Sequence, residues 1–215
     1  MQTLDAKSVA GLFSRFAERF EKEREALIEL DSKVGDSDLG LTMAKAFRAA
    51  SDAVGALDAP DLASQMKTAG AAIAKAAPST MGTLMATGFL RGSKALDGAV
   101  ALDVAGLASF WEAYANGVAM RGKAALGDKT VLDVLDPIAR CFKAEAEKGA
   151  PLEVACEAAA KAADEALEAT KLLVAQHGKA AAFQEKSRGL QDAGGTVACI
   201  LADELNGFMK AATAS

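Results

Sequence analysis

Apolar residues recur at helical spacing along most of the chain. Val9, Leu12, Phe13, Phe16, Phe20, Leu27 and Leu30 interleave with Lys7, Arg15, Glu18, Arg19, Glu21 and Lys22, which predicts one helix over 6–30. The period resumes over 40–55 (Leu41, Ala44, Phe47, Val54) and 61–76 (Leu62, Met66, Ala69, Ile73). The segment 81–96 is more uniformly apolar and is expected near the centre. Further helices are expected over 103–120 (Leu107, Phe110, Trp111, Tyr114, Val118) and over 130–147, where Pro137 should bend the chain. An Ala-rich helix over 152–175 and a last one over 192–211 (Val197, Ile200, Leu201, Leu205, Phe208) complete the pattern.

The pattern contains eight helices, no strand signal and no linker. The expected fold is all-α, an up-and-down antiparallel barrel or bundle of eight helices, forming a single domain over 1–215. In that topology alternate connections share an end. Connections 55–60, 97–102 and 148–151 are short and plain. Connections 31–39, 77–82, 121–129 and 176–191 hold an acidic cluster, a Pro-Ser-Thr-Met-Gly break, a Gly-Lys loop and a polar lead-in to Asp192. Topology therefore gathers every chemically unusual segment on one rim.

Composition narrows the function. The 215 residues are rich in Ala and carry a formal net charge of −5 with no basic block, so nucleic-acid binding has no electrostatic footprint. No apolar run reaches the roughly 18 residues of a membrane span, and the opening Met-Gln-Thr-Leu-Asp-Ala-Lys has no leader-like apolar core. Cys141, Cys156 and Cys199 are odd in number, far apart and set in apolar helical patterns. They read as buried small hydrophobes in a reducing cytoplasm.

The chemistry centres on Asp31-Ser-Lys-Val-Gly-Asp36-Ser-Asp38-Leu-Gly40. Like charges packed this closely need a cation to offset them, and all-oxygen ligands suit Mg²⁺. The alternative at this point is a solvated acidic turn with Asp38 as a helix N-cap. Helix N-termini near residues 40, 81, 130 and 192 point into the same rim and suit phosphate, with Lys123, Lys129 and Lys179 in the neighbouring loops. Metal-holding carboxylates beside phosphate-holding helix ends are the two halves of a nucleotide–metal site. Two familiar motifs do not fit. Gly122 to Thr130 has Asp128 inserted before its Lys and no preceding strand, unlike a P-loop. The Asp36-x-Asp38 stretch has Leu41 and Phe47 where an EF-hand needs Gly and Glu. Ser79 reads as an N-cap, and Thr130-x-x-Asp133 resembles a capping box.

Three stretches together carry a resemblance: Leu30-Asp31…Gly35-Asp36-Ser-Asp38-Leu-Gly40-Leu, Arg121-Gly-Lys123…Gly127-Asp-Lys-Thr130 and Gln191-Asp192-Ala-Gly194. In order and spacing the chain resembles the L subunit of bacterial dihydroxyacetone kinase. That resemblance implies an all-helical up-and-down barrel with nucleotide and Mg²⁺ at one end. By it, Asp31, Asp36 and Asp38 match ligands of Mg²⁺, two ions in number, and the carboxylates that serve catalysis. Leu39, Gly40, Leu41, Thr42, Thr80, Met81, Gly82, Gly122, Val131, Lys179, Asp192, Ala193 and Gly194 match positions that contact ATP or ADP.

The chain departs from the family pattern in three places. Leu39 stands where the family motif Gly-Asp-x-Asp-His-Gly has its His. Pro78-Ser79-Thr80-Met81-Gly82 replaces a Gly-Gly-x-Ser-Gly phosphate loop, and Lys179 replaces an Arg. The resemblance implies phosphoryl transfer to dihydroxyacetone or another short ketose held by a separate K-type subunit. The donor is either exchangeable ATP or bound ADP recharged by a phosphotransferase-system partner. Self-association is left open. His177, the only histidine, reads as a solvated loop residue. Two other functions stay open: a non-catalytic nucleotide-binding regulatory subunit, and a Mg²⁺-dependent phosphatase-like hydrolase.

Overall fold

The structure, a computed structural model, describes residues 3–58 and 60–213. Met1 and Gln2 of the stretch read for a leader, Ala59 of the 55–60 connection, and the last two residues lie outside the described residues. The described residues form nine α-helices and two 3₁₀ segments. These are α1 (Ala6–Lys22), α2 (Arg24–Ser32), α3 (Leu39–Gly55), α4 (Leu62–Ala76), α5 (Thr80–Ala95), α6 (Val104–Gly122), α7 (Leu132–Glu147), α8 (Leu152–Ala169) and α9 (Ala193–Thr213). The 3₁₀ segments are Thr170–Leu172 and Lys179–Ser187.

The helix expected over 6–30 is broken at Glu23, which leaves the α-helical region with φ −84° and ψ 0°. Around this point Arg19 pairs with Glu23 and Arg24 with Glu21. The helix expected over 152–175 ends at Ala169, because Thr170 turns its hydroxyl back onto the Leu167 carbonyl and tightens the chain into a 3₁₀ turn. The helix α7 runs through Pro137 without interruption.

Starts are set by short polar side chains. Asp5, Asp61, Ser79 and Asp103 each accept the backbone N–H three residues on, at 2.8, 2.6, 3.0 and 2.8 Å. Each helix from α3 onward packs against the next, and α1 touches both α3 and α9, so the elements close into a ring. The closure between α1 and α9 is its sparsest joint. Aromatic side chains fill the middle: Phe20 stacks on Phe47 at 4.3 Å, and Phe89 bridges Phe13, Phe47, Phe110 and Tyr114. Each such buried ring contributes about 1.5–3 kcal/mol relative to exposure. Cys156 and Cys199 are buried, whereas Cys141 is only half-buried, at the edge of the core it packs against.

The alternation expected from topology holds. The 33–38, 77–79, 123–131 and 170–192 connections lie at one end of the ring. At the other end Leu4 and Leu102 exchange backbone hydrogen bonds at 2.8 Å.

Candidate functional site

The acidic loop is shaped by Asp31. This residue sits in the last turn of α2, and its Oδ2 accepts the N–H groups of Asp38 at 3.1 Å and Leu39 at 3.4 Å. Asp31 therefore caps α3, while Asp38, at the N-cap position, makes no capping bond. The reading of Asp38 as the cap is corrected on this point, and its carboxylate is left free. Gly35 is required because a Cβ there would stand 2.0 Å from Asp31 Oδ1. Gly40 is required because a Cβ would stand 2.0 Å from the Arg24 carbonyl, where α2 and α3 nearly touch. Ser37 adopts φ 64°, a left-handed conformation that costs a non-glycine residue about 1 kcal/mol or more. The outcome is that one oxygen from each of Asp31, Asp36 and Asp38 lies within 4.8 Å of the other two. Lys179 forms an ion pair with Asp36 and, among the described residues, is the one cation paired with the trio. Hard oxygens, clustered and half-exposed, fit Mg²⁺.

The neighbouring loops are locked to one another. Lys129 is buried, and its Nζ donates to the carbonyls of Thr170 (2.8 Å), Leu173 (3.3 Å) and Leu190 (2.6 Å). Desolvation lowers its pKa, opposed by the nearby Asp192 charge. Lys129 is thus a tether for 170–190 and does not face the rim. Asp133 accepts from Gly127 N–H at 2.6 Å and Thr130 N–H at 2.8 Å, while Leu132 N–H donates to the Thr130 hydroxyl at 3.2 Å. His177 is not simply solvated: its Nε2 lies 2.9 Å from Asp128, which also accepts the Ala125 N–H. Asp192 accepts the Gly195 N–H at 2.5 Å and caps α9. Burial pushes its carboxyl up to about 6, against the pull of that N–H and of Lys129.

The sequence-derived contact residues fall into three groups at the same end. At the start of α3, Leu41 is exposed and Thr42 half-exposed, while Leu39 and Gly40 are buried. Leu39 faces the hydrophobic core. At the start of α5, Thr80 is exposed, Met81 half-buried and Gly82 buried, and Gly122 lies beside them against Leu84. Val131 is buried, and a Cβ on Gly194 would stand 3.4 Å from it, so Asp192, Ala193 and Gly194 meet the start of α7. Lys179 alone reaches the acids. Sequence reasoning missed the Lys129 tether, because its three carbonyl partners lie 41 to 61 residues away. It also missed the capping role of Asp31.

A family model described as the DAK2 domain matches residues 33–207. The chain belongs to the DAK2 family. Among DAK2 relatives, it is 31% identical over 194 residues to the ADP-binding subunit DhaL of the PEP-dependent dihydroxyacetone kinase of Escherichia coli, covering 90% of this chain and 92% of that one. It is 32% identical over 186 residues to the ADP-binding subunit DhaL of PEP-dependent dihydroxyacetone kinase 1 of Listeria innocua, covering 86% and 88%. The fold matches the dihydroxyacetone kinase of C. freundii solved in complex with AMP-PNP and Mg²⁺, with a TM-score of 0.71 and 24% identity over 93% of this chain. The chain spans about a third of the length of that kinase (33%). No described helix of this DAK2 chain is long and apolar enough to cross a membrane.

Proposed function

We propose that the chain is the Mg²⁺–nucleotide-binding subunit of a dihydroxyacetone-kinase-type phosphotransferase. The observation that carries this reading is the shaped trio of Asp31, Asp36 and Asp38 on the rim of a DAK2 fold. Asp31, Asp36 and Asp38 hold the metal. Bound Mg²⁺ supplies charge neutralisation across the nucleotide phosphates. The first turns of α3, α5 and α9 offer backbone N–H groups and positive dipole ends to those phosphates. Thr80, Met81, Gly82 and Gly122 line the nucleotide on one side, and Asp192, Ala193 and Gly194 with Val131 on the other. Lys179, which pairs with Asp36, would present its ammonium to a phosphate oxygen.

The acceptor is dihydroxyacetone or another short ketose, presented by a separate K-type chain. The names of the relatives, each an ADP-binding subunit of a PEP-dependent kinase, favour retained ADP recharged by a phosphotransferase-system protein over exchangeable ATP. Such a subunit works in the cytoplasm. Purified chain, a K-type partner and dihydroxyacetone are assayed with ATP or with a phosphotransferase-system donor. Ketose-dependent phosphate transfer by the donor scheme is expected. Tight Mg²⁺–ADP binding without transfer under either scheme would support a non-catalytic regulatory subunit, the reading favoured by the core-facing Leu39. Phosphate release from simple esters by the chain alone would support a hydrolase.

A further inference from the structure

The ring is least well closed where α2 turns away from α9, and a groove of about 410 Å³ remains between them. That volume is within the range of small-molecule sites. Ala26, Leu27, Leu30 and Ile200 give it an apolar wall, and Cys199 and Asp203 stand on its α9 side. Its charges do not balance. Of the lining cations, Arg19 is already engaged by Glu23 at 3.0 Å and Glu204 at 3.9 Å. Against it and Lys33 stand Glu23, Glu29 and Asp203. Asp164 borders the groove, bonded to the Cys199 thiol at 3.0 Å, with oxygens of Asp164 and Asp203 within 4.8 Å of each other. Among the described residues neither of these carboxylates is in an ion pair. Burial first, and then the charge of Asp164, push the Asp203 carboxyl up to about 6, against the pull of the Arg19 guanidinium.

We propose that the groove between α2 and α9 is a binding site for a small amphipathic organic cation, whose ammonium group lies against Asp203 and Asp164 while its hydrocarbon body lies against Ala26, Leu27, Leu30 and Ile200. The proposal does not depend on the nucleotide reading, and the groove adjoins the acidic loop at Lys33. One of its walls is α2, whose last turn carries Asp31, so an occupant presses on the helix that positions the acidic loop.

The test is calorimetric titration of the full chain with hexylammonium, hexanoate and hexanol, in wild type, Ala26→Phe and Asp203→Asn. Ala26 is exposed, so the larger side chain fills the groove without entering the core. Saturable one-to-one binding of hexylammonium alone is expected, weakened about tenfold or more in each variant, as loss of one charge contact or of the groove volume would do. Unchanged far-ultraviolet circular dichroism and unchanged Mg²⁺–ADP affinity certify that the variants fold. No hexylammonium binding, equal binding of hexanoate, or binding undiminished in the folded variants overturns the proposal.

Discussion

At Asp36 the proposed ligand role separates cleanly from the scaffold. Its carboxylate makes no bond to the backbone; its recorded partner is the Lys179 ammonium. Asp36→Ala is therefore expected to abolish Mg²⁺–nucleotide binding in calorimetry while helicity and melting temperature hold; retained affinity would refute the assignment. Asp31 is different, because it also caps α3, and its loss should damage both. Asp192 offers a second test, through pH. Its carboxyl titrates near 6 in the fold against a reference value of 3.8, so between those values the folded chain binds the extra proton. This group adds stability as pH falls through that window and loses it as pH rises. Urea melts of wild type and Asp192→Asn at about pH 4.5 and pH 7 should show the wild type gaining on the variant at the lower pH. An identical difference at both would mean that the carboxyl titrates normally. The acids were legible in the sequence because three carboxylates in eight residues need a cation. Asp31 as a cap was not, since it bonds amides seven and eight residues away, outside any local capping rule.

Among elements, the junction of α2 and α3 carries the most consequence for the site. Their backbones meet at Gly40, with room for no side chain beside the Arg24 carbonyl. Gly40→Ala should force the two helices apart, cost about 1–3 kcal/mol in denaturant melts and displace Asp31 from the cluster. A variant with wild-type stability and Mg²⁺ affinity would show that the contact yields cheaply. Helical spacing revealed six of the eight expected helices nearly to the residue, because each buries one continuous stripe. It failed at Glu23, where apolar period continues through Leu27 and Leu30 while the backbone does not. It failed again after Ala169, where Lys129 reaches across from another loop to hold the carbonyls of a chain that has stopped being α-helical. Long-range tethers leave no periodic trace.

For the whole molecule, the distribution of exposed apolar side chains is uneven. Of the seven large ones among the described residues, Leu41, Met120, Leu126, Leu172 and Phe183 lie in the segments of the rim, and only Val100 and Val154 at the opposite end. Under the proposed function this end would be the face presented to a K-type partner. Leu172→Asp combined with Phe183→Asp should reduce phosphate transfer with a K-type partner about tenfold or more while leaving Mg²⁺–ADP affinity intact. Equal turnover in wild type and double variant would place the partner elsewhere.

The bond from Asp31 to the amides of Asp38 and Leu39 has a kinetic corollary. One oxygen of that side chain is committed to the backbone, so the bend between α2 and α3 is held by the chain's own bonds. Under the proposed role, a metal at these acids would need little rearrangement of the main chain, as a socket does and a strand that must be reeled in does not.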